Sequence, residues 1–278
     1  MYHIESNKLR ETIEEFFGSQ HQEEITKPTK DEGVVQVVRE AIPNRTKEVF
    51  EELKRLNIML CGGAITSLFS GATIKDLDFY VLDLQQLYEA KDFLLKWFPQ
   101  EAFVSGNAVT YKRKSERSNK VWTVQLITRF SGPPETIFYN FDFTVTMGCY
   151  DFRTKEFVLH ERFLPDIAKR RLVYSGGSHF PICAMARVGK YREKGYHCPN
   201  STVMHIALSI VQLNIQNYKQ LKEQLFGIDT IYLQKLLSSK KYLEYEEQNL
   251  PVDYGEFIAE VFKAIEGPIA EAEILEDV

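Results

Sequence analysis

Two glycines and two aspartates stand where they can do chemistry together. The stretch Cys61-Gly62-Gly63-Ala64-Ile65-Thr66-Ser67 joins an apolar run to a short helix-like segment, and Lys75-Asp76-Leu77-Asp78-Phe79-Tyr80 follows. Glycines let a backbone approach a phosphate closely, and the first amides of a helix favour an anion. On a strand, alternate residues share a face, so Asp76 and Asp78 project together while Leu77 and Phe79 turn to the core. Paired carboxylates suit Mg²⁺ or Mn²⁺, hard cations that prefer oxygen ligands. A phosphate cradle beside metal-binding carboxylates is what transfer of a nucleotide from an NTP requires.

Two acids need a third to anchor two metal ions. Asp142, in Asn140-Phe141-Asp142-Phe143-Thr144-Val145, is an acid inside an apolar alternation that reads as a strand over 141–147. A buried carboxylate is costly unless paired or coordinated. Asp142 is therefore the first choice for the third ligand, and Asp151 the second. A basic helix is expected over 180–194, with Arg187, Lys190 and Lys194 at helical spacing on one face. Those cations suit a triphosphate or a primer backbone, and Tyr191 or Tyr196 suits stacking on a base. The bland alternative is an exposed basic helix with core tyrosines.

These elements must be carried by a chain of 278 residues, 44% hydrophobic and 26% charged, an ordinary globular composition able to bury a core. Net charge is −5 but uneven. Residues 105–129 hold six basic and one acidic side chain, and residues 160–200 hold eight and three. Residues 219–278 hold six basic and thirteen acidic. That asymmetry suits a cleft for polyanions in an otherwise acidic protein. No apolar run reaches the ~20 residues of a membrane span, and no signal peptide is read at the start. Four scattered cysteines fit reduced thiols in the cytoplasm. His179, Cys183, His197 and Cys198 match no standard zinc spacing.

The pattern gives a polar helix over 8–17, helices over 34–41 and 46–56 (capped by Asn44 or Thr46), and a strand over 58–61. A short helix from Ala64 ends at Gly71, and strand 77–82 and helix 84–98 follow. A hairpin is expected over 102–112, turning at Gly106-Asn107, then a strand at 122–127 and a strand at 156–160. Beyond 165 the chain reads as helical: 165–172, 180–194, 201–217, 218–226, 229–237 and 254–265. Expected domains are an N-terminal helical segment (1–56), a catalytic core (57–165) and a helical C-terminal domain (166–278).

The series apolar–Gly–Gly, about a dozen residues, Asp–apolar–Asp–aromatic and then a later Asp resembles the DNA polymerase β nucleotidyltransferase superfamily. It is similar to template-independent members such as the head domains of poly(A) polymerases and CCA-adding enzymes. The signature covers roughly 57–150, with diffuse similarity to about 198. The resemblance implies an α/β (α+β) core with a mixed sheet followed by a helical domain. It implies that Gly62, Gly63, Thr66 and Ser67 hold a triphosphate and that Asp76, Asp78 and Asp142 hold the metals. The family often places a Ser directly after its first Gly, where this chain has Gly63, so backbone contacts weigh more than hydroxyl contacts. The implied reaction is attack of a hydroxyl on the α-phosphate of an NTP or dNTP, with extension of a nucleic-acid or oligonucleotide primer as the first reading. Alternatives are an oligonucleotide signal made in an antiphage or phage-encoded system, nucleotidylation of protein or tRNA, and an inactive nucleotide-binding scaffold.

Overall fold

Alternation of apolar residues sets the sheet on which the site is built. In this computed structural model residues 3–18, 25–28, 35–38, 45–98, 101–105, 107–114, 121–225 and 236–261 are described. The order begins α1 (His3–Gly18), β1 (Ile25–Pro28), β2 (Val35–Val38), α2 (Arg45–Arg55), β3 (Ile58–Cys61), α3 (Gly63–Ser70) and β4 (Asp76–Val81). A 3-10 turn (Leu84–Gln86) leads into α4 (Leu87–Trp97), then β5 (Glu101–Val104), β6 (Ala108–Lys114), β7 (Val121–Ile127) and α5 (Pro134–Tyr139). A second 3-10 turn (Thr144–Thr146) precedes β8 (Gly148–Asp151), β9 (Glu156–Leu159) and α6 (Phe163–Ala168). The rest is helical: α7 (Pro181–Glu193), α8 (Asn200–Gln212), α9 (Tyr218–Gln224), α10 (Lys240–Glu247) and α11 (254–261). The protein is thus a mixed α/β fold with a helical C-terminal region.

Close packing divides the chain into two units, 1–138 with 145–168 and 139–144 with 169–278. The expected core of 57–165 cuts across this division, because 139–144, which carries Asp142, packs with the second unit. The first unit holds a seven-stranded mixed sheet in the order β5-β6-β7-β4-β3-β8-β9. β4 and β7 run parallel and the other neighbours antiparallel. One face is sealed: Leu77, Phe79, Trp122, Val124 and Leu126 are buried there. Phe16 of α1 meets Trp122 at 4.3 Å, and Phe17 packs on Phe79, Phe93, Trp97 and Phe98. The alternate residues of β4 and β7, Asp76, Asp78, Thr123 and Gln125, are exposed or half-buried.

Gly148 seats two helices on this sheet, since a Cβ there would lie 2.7 Å from the Phe163 ring and 2.8 Å from Ile65. In the second unit Cys183, Tyr218, Leu221, Leu225, Leu237, Tyr242 and Phe257 form a core. All four cysteines are buried free thiols. Among the described residues no helix is long and apolar enough to cross a membrane.

Two expectations are corrected. Val35–Val38 is a strand paired with Ile25–Pro28, not part of a helix over 34–41; three valines in four residues favour extended backbone over helix. The segment 141–147 is not a continuous strand: it makes one isolated antiparallel bridge, Phe143 to Tyr174, closed by Thr144 N–H to Val173 O (3.0 Å) and Ser175 N–H to Asp142 O (2.8 Å), and then winds into a 3-10 turn over Thr144–Thr146. The capping residue Asn44, the glycine of the Gly106-Asn107 turn and most of the helix expected over 229–237 lie outside the described residues.

Candidate functional site

The strand β3 ends in Cys61, and the chain must turn at once into α3. Gly62 makes that turn with φ 81°, a left-handed conformation that L side chains rarely adopt, and its N–H donates to Gly148 O at 3.0 Å. The first bond back along the helix is Thr66 N–H to Gly62 O at 3.1 Å. The amides of Gly63, Ala64 and Ile65 come before it, and no side chain caps them. A Cβ placed on Gly63 would meet nothing within 4 Å. The protein's own packing therefore does not demand glycine at 63, and the missing side chain leaves room for a group from outside. Thr66 points the other way: its buried hydroxyl lies 2.7 Å from Val145 O and 3.1 Å from Gly62 O. That hydroxyl thus ties the first turn of α3 to Gly62 and Val145, whereas a phosphate contact was expected of it from sequence. Ser67 is half-buried one place further on.

β4 brings the two acids onto the face away from Phe17. Asp76 is exposed and Asp78 half-buried. The parallel register sets Thr123 beside Asp76 and Gln125 beside Asp78. Gln125 Nε2 donates to Thr110 Oγ1 on β6 at 3.3 Å. On the other side of β4, Leu60 pairs with Phe79 and Cys61 with Cys149, which puts Cys61 and Cys149 in Asp78's row. Burial pushes the Cys61 thiol well up, and Cys149, Asp78 and Asp151 push the same way. A thiol so held is not a nucleophile. Asp151 pairs with Met59 on β3, two strands and one residue pair from Asp78, about 12 Å by strand spacing. Its carboxylate accepts from Arg153 N (2.8 Å) and the Arg153 guanidinium (3.2 Å).

Asp142 belongs to the second unit, where a local clasp holds it. Ser178 Oγ donates to Asp142 Oδ1 at 2.5 Å, and Arg187 Nη1 donates to Oδ2. Ser175 Oγ donates to Phe141 O at 2.5 Å and accepts from Gly177 N at 3.2 Å, so the loop Ser175–Ser178 wraps the acid. Among the described residues no three His, Cys, Asp or Glu side chains gather closely enough to hold a metal ion. The pair Asp76 and Asp78 still suits a divalent cation that arrives with a triphosphate, because Mg²⁺ commonly takes one or two carboxylates and completes its shell with phosphates and water.

The basic helix is α7, beginning at Pro181. Lys190 and Lys194 are exposed, whereas Arg187 is turned onto Asp142. Tyr191 is buried, 5.5 Å from the ring of Phe143 and 5.5 Å from that of Tyr196, which is itself buried. Both rings are thus packed inside the protein, whereas stacking on a base was expected of them from sequence. Residues missed from sequence are Thr123, Gln125, Ser175 and Ser178. Alternation along β7 marks 123 and 125 as outward-facing, but their place beside the acids depends on a parallel pairing between distant segments.

The family described as Gabija anti-defense 2 family protein matches residues 30–170. The Gabija anti-defense 2 protein of Bacillus phage SPbetaL7 is 35% identical over 196 residues, covering 70% of this chain and 48% of that protein. The chain thus spans about half the length of the curated relative it matches. Among solved structures it is similar to the Thermotoga maritima CCA-adding enzyme complexed with tRNA, at TM-score 0.43 and 14% identity over 75% of this chain and 51% of the other. It is also similar to the Bacillus stearothermophilus CCA-adding enzyme in complex with CTP, at TM-score 0.44 and 16% identity over 66% and 48%. A CCA-adding enzyme with ATP gives 0.46 and 15% over 74% and 51%. On the match to more than half of its residues, the chain belongs to the Gabija anti-defense 2 family.

Proposed function

We propose that this protein binds a nucleoside triphosphate with a divalent cation and transfers its nucleoside monophosphate to a hydroxyl acceptor, as part of countering the defence named in its family description. One observation carries the reading: an uncapped helix start opens over Gly63, where a Cβ would meet empty space, beside a strand presenting Asp76 and Asp78 on one face. The amides of Gly63 to Ile65 would take the phosphates. Asp76 and Asp78 would orient the triphosphate through a shared Mg²⁺ or Mn²⁺, which when bound supplies charge stabilisation at the phosphates. The acceptor hydroxyl oxygen would bond to the α-phosphorus and give up its proton to water, the bond from the α-phosphorus to the β-phosphate oxygen would break, and pyrophosphate would leave. Ser67 would add a hydroxyl contact, and Lys190 and Lys194 would attract a polyanionic acceptor in the cytoplasm, a nucleic acid or oligonucleotide before a protein. With both its oxygens engaged, Asp142 would position α7 rather than hold a metal.

Incubation with each labelled NTP and dNTP, Mg²⁺ or Mn²⁺, and cell extract or purified nucleic acid tests this. A labelled product that is lost in Asp76→Ala and Asp78→Ala supports it; nuclease and protease digestion then name the acceptor. A product unchanged by both substitutions refutes it. A second reading, a nucleotide-holding scaffold without turnover, is favoured by the same engagement of Asp142. Saturable nucleotide binding with no product under any acceptor would select it.

A further inference from the structure

We infer that Gln125 occupies the place on the sheet where a third carboxylate would have to stand, so that Asp76 and Asp78 form a two-acid set that retains a divalent cation only together with a polyphosphate. The inference rests on the proposed nucleotide site and concerns how that site is charged.

Within the sheet only a few positions flank the two acids. On one side of β4 is β3, whose residue in Asp78's row is the buried Cys61, with Cys149 beyond it. On the other side is β7, whose residues in register with Asp76 and Asp78 are Thr123 and Gln125. Neighbouring strands lie about 5 Å apart, and paired residues point to the same face. Thr123 and Gln125 are both half-buried, as Asp78 is, so all three side chains share the open face of the sheet. None of the three flanking positions, Cys61, Thr123 and Gln125, is an acid. The Gln125 amide nitrogen is turned towards Thr110 on β6, away from β4. The amide offers at most a neutral carbonyl oxygen to a cation beside Asp78, and Thr123 offers a neutral hydroxyl.

Among the described residues no third His, Cys, Asp or Glu gathers with Asp76 and Asp78. Asp151 sits two strands away on its own Arg153. Asp142 has both carboxylate oxygens engaged by Ser178 and Arg187. Ligand charge count is a main lever on the affinity of oxygen sites for hard cations. Two carboxylates with neutral neighbours leave a divalent cation dependent on the phosphates for the remaining charge. Cation and nucleotide should therefore bind as one complex, with neither held well alone.

The test is Mn²⁺ binding followed by electron paramagnetic resonance, on the whole chain, alone and with the non-hydrolysable analogue α,β-methylene-ATP. The wild-type protein should bind Mn²⁺ alone only in the millimolar range and about tenfold or more tighter with the analogue. Gln125→Glu should tighten binding of Mn²⁺ alone by about tenfold. Thr123→Glu, beside Asp76, is the second variant should the first fail to fold, with far-UV circular dichroism as the check. Asp78→Asn should abolish binding in every arm. Tight Mn²⁺ binding by the wild type without nucleotide overturns the inference. So does unchanged Mn²⁺ affinity in folded Gln125→Glu and Thr123→Glu. The arm without nucleotide judges Gln125 by itself, whereas failure of the analogue to bind at any Mn²⁺ concentration refutes the proposed nucleotide site and the coupling with it.

Discussion

Replacing Asp142 with Asn separates a structural clasp from a metal ligand. In the clasp, a carboxylate 6% exposed accepts from a guanidinium 42% exposed. Asn keeps one oxygen for Ser178 but turns an amide N–H₂ towards the donors of Arg187, so the pair becomes two donors facing each other. Breaking a fully buried ion pair costs about 3–5 kcal/mol, and an exposed pair under about 1 kcal/mol. Arg187 is nearly half in water, which puts the expected loss near ~2 kcal/mol. For a unit of this size, that lowers the melting temperature of its transition by roughly 10 °C. Arg187→Met should cost a similar amount by stranding the carboxylate. The double variant should lose clearly less than the sum, because both substitutions remove the same interaction. Thermal melts by circular dichroism read the losses, and Mn²⁺ titration with α,β-methylene-ATP reads the site. An Asp142→Asn protein that melts like the wild type but no longer binds Mn²⁺ with the analogue would refute the reasoning and return Asp142 to the metal.

Gly63→Val should change stability by less than about 1 kcal/mol, since its side chain enters open space in the first turn of α3; nucleotide affinity, by titration calorimetry, should fall at least about tenfold as the backbone approach is blocked. Gly148→Ala should instead destabilise by about 1–3 kcal/mol in urea unfolding, because its methyl would collide with Phe163 and Ile65. Burial raises the folded-state pKa of Cys61 above its ordinary value of 9.0, so the folded state holds that proton more tightly than the unfolded chain. Its contribution to stability is whole below about pH 8.5 and is lost as pH rises beyond that. Cys61→Ala should flatten the fall in urea stability between neutral pH and about pH 10.

The glycine turn and the Asp-Leu-Asp strand were legible because their signals are local. Two glycines and the four-residue alternation Asp-Leu-Asp-Phe need no knowledge of the rest of the chain, and β4 carries Asp76 and Asp78 as the alternation says. The β7 strand was legible for the same reason. Its pairing was not, because β4 and β7 lie side by side only after α4, β5 and β6 have been threaded between them. Gln125 therefore passed unnoticed, being an unremarkable residue whose meaning comes from the strand beside it. Asp142 misled in the opposite way. Phe-Asp-Phe-Thr-Val alternates like a strand, but its pairing stops at a single bridge, Phe143 to Tyr174, where the 3-10 turn at Thr144 begins. A buried acid does need a partner, as the sequence argument held, and here an arginine 45 positions away and a serine 36 away provide it. Tyr191 sits on a helix with exposed lysines, yet its own position faces Phe143, a contact no helical spacing reveals.

A crystal of the protein grown with MnCl₂ and α,β-methylene-ATP puts the account to its most direct test. The account predicts an anomalous manganese peak shared by Asp76, Asp78 and phosphate oxygens, with the triphosphate lying over Gly63 and Asp142 still on Arg187. A triphosphate bound away from the start of α3, or manganese bound by Asp142 with Arg187 swung aside, would contradict it.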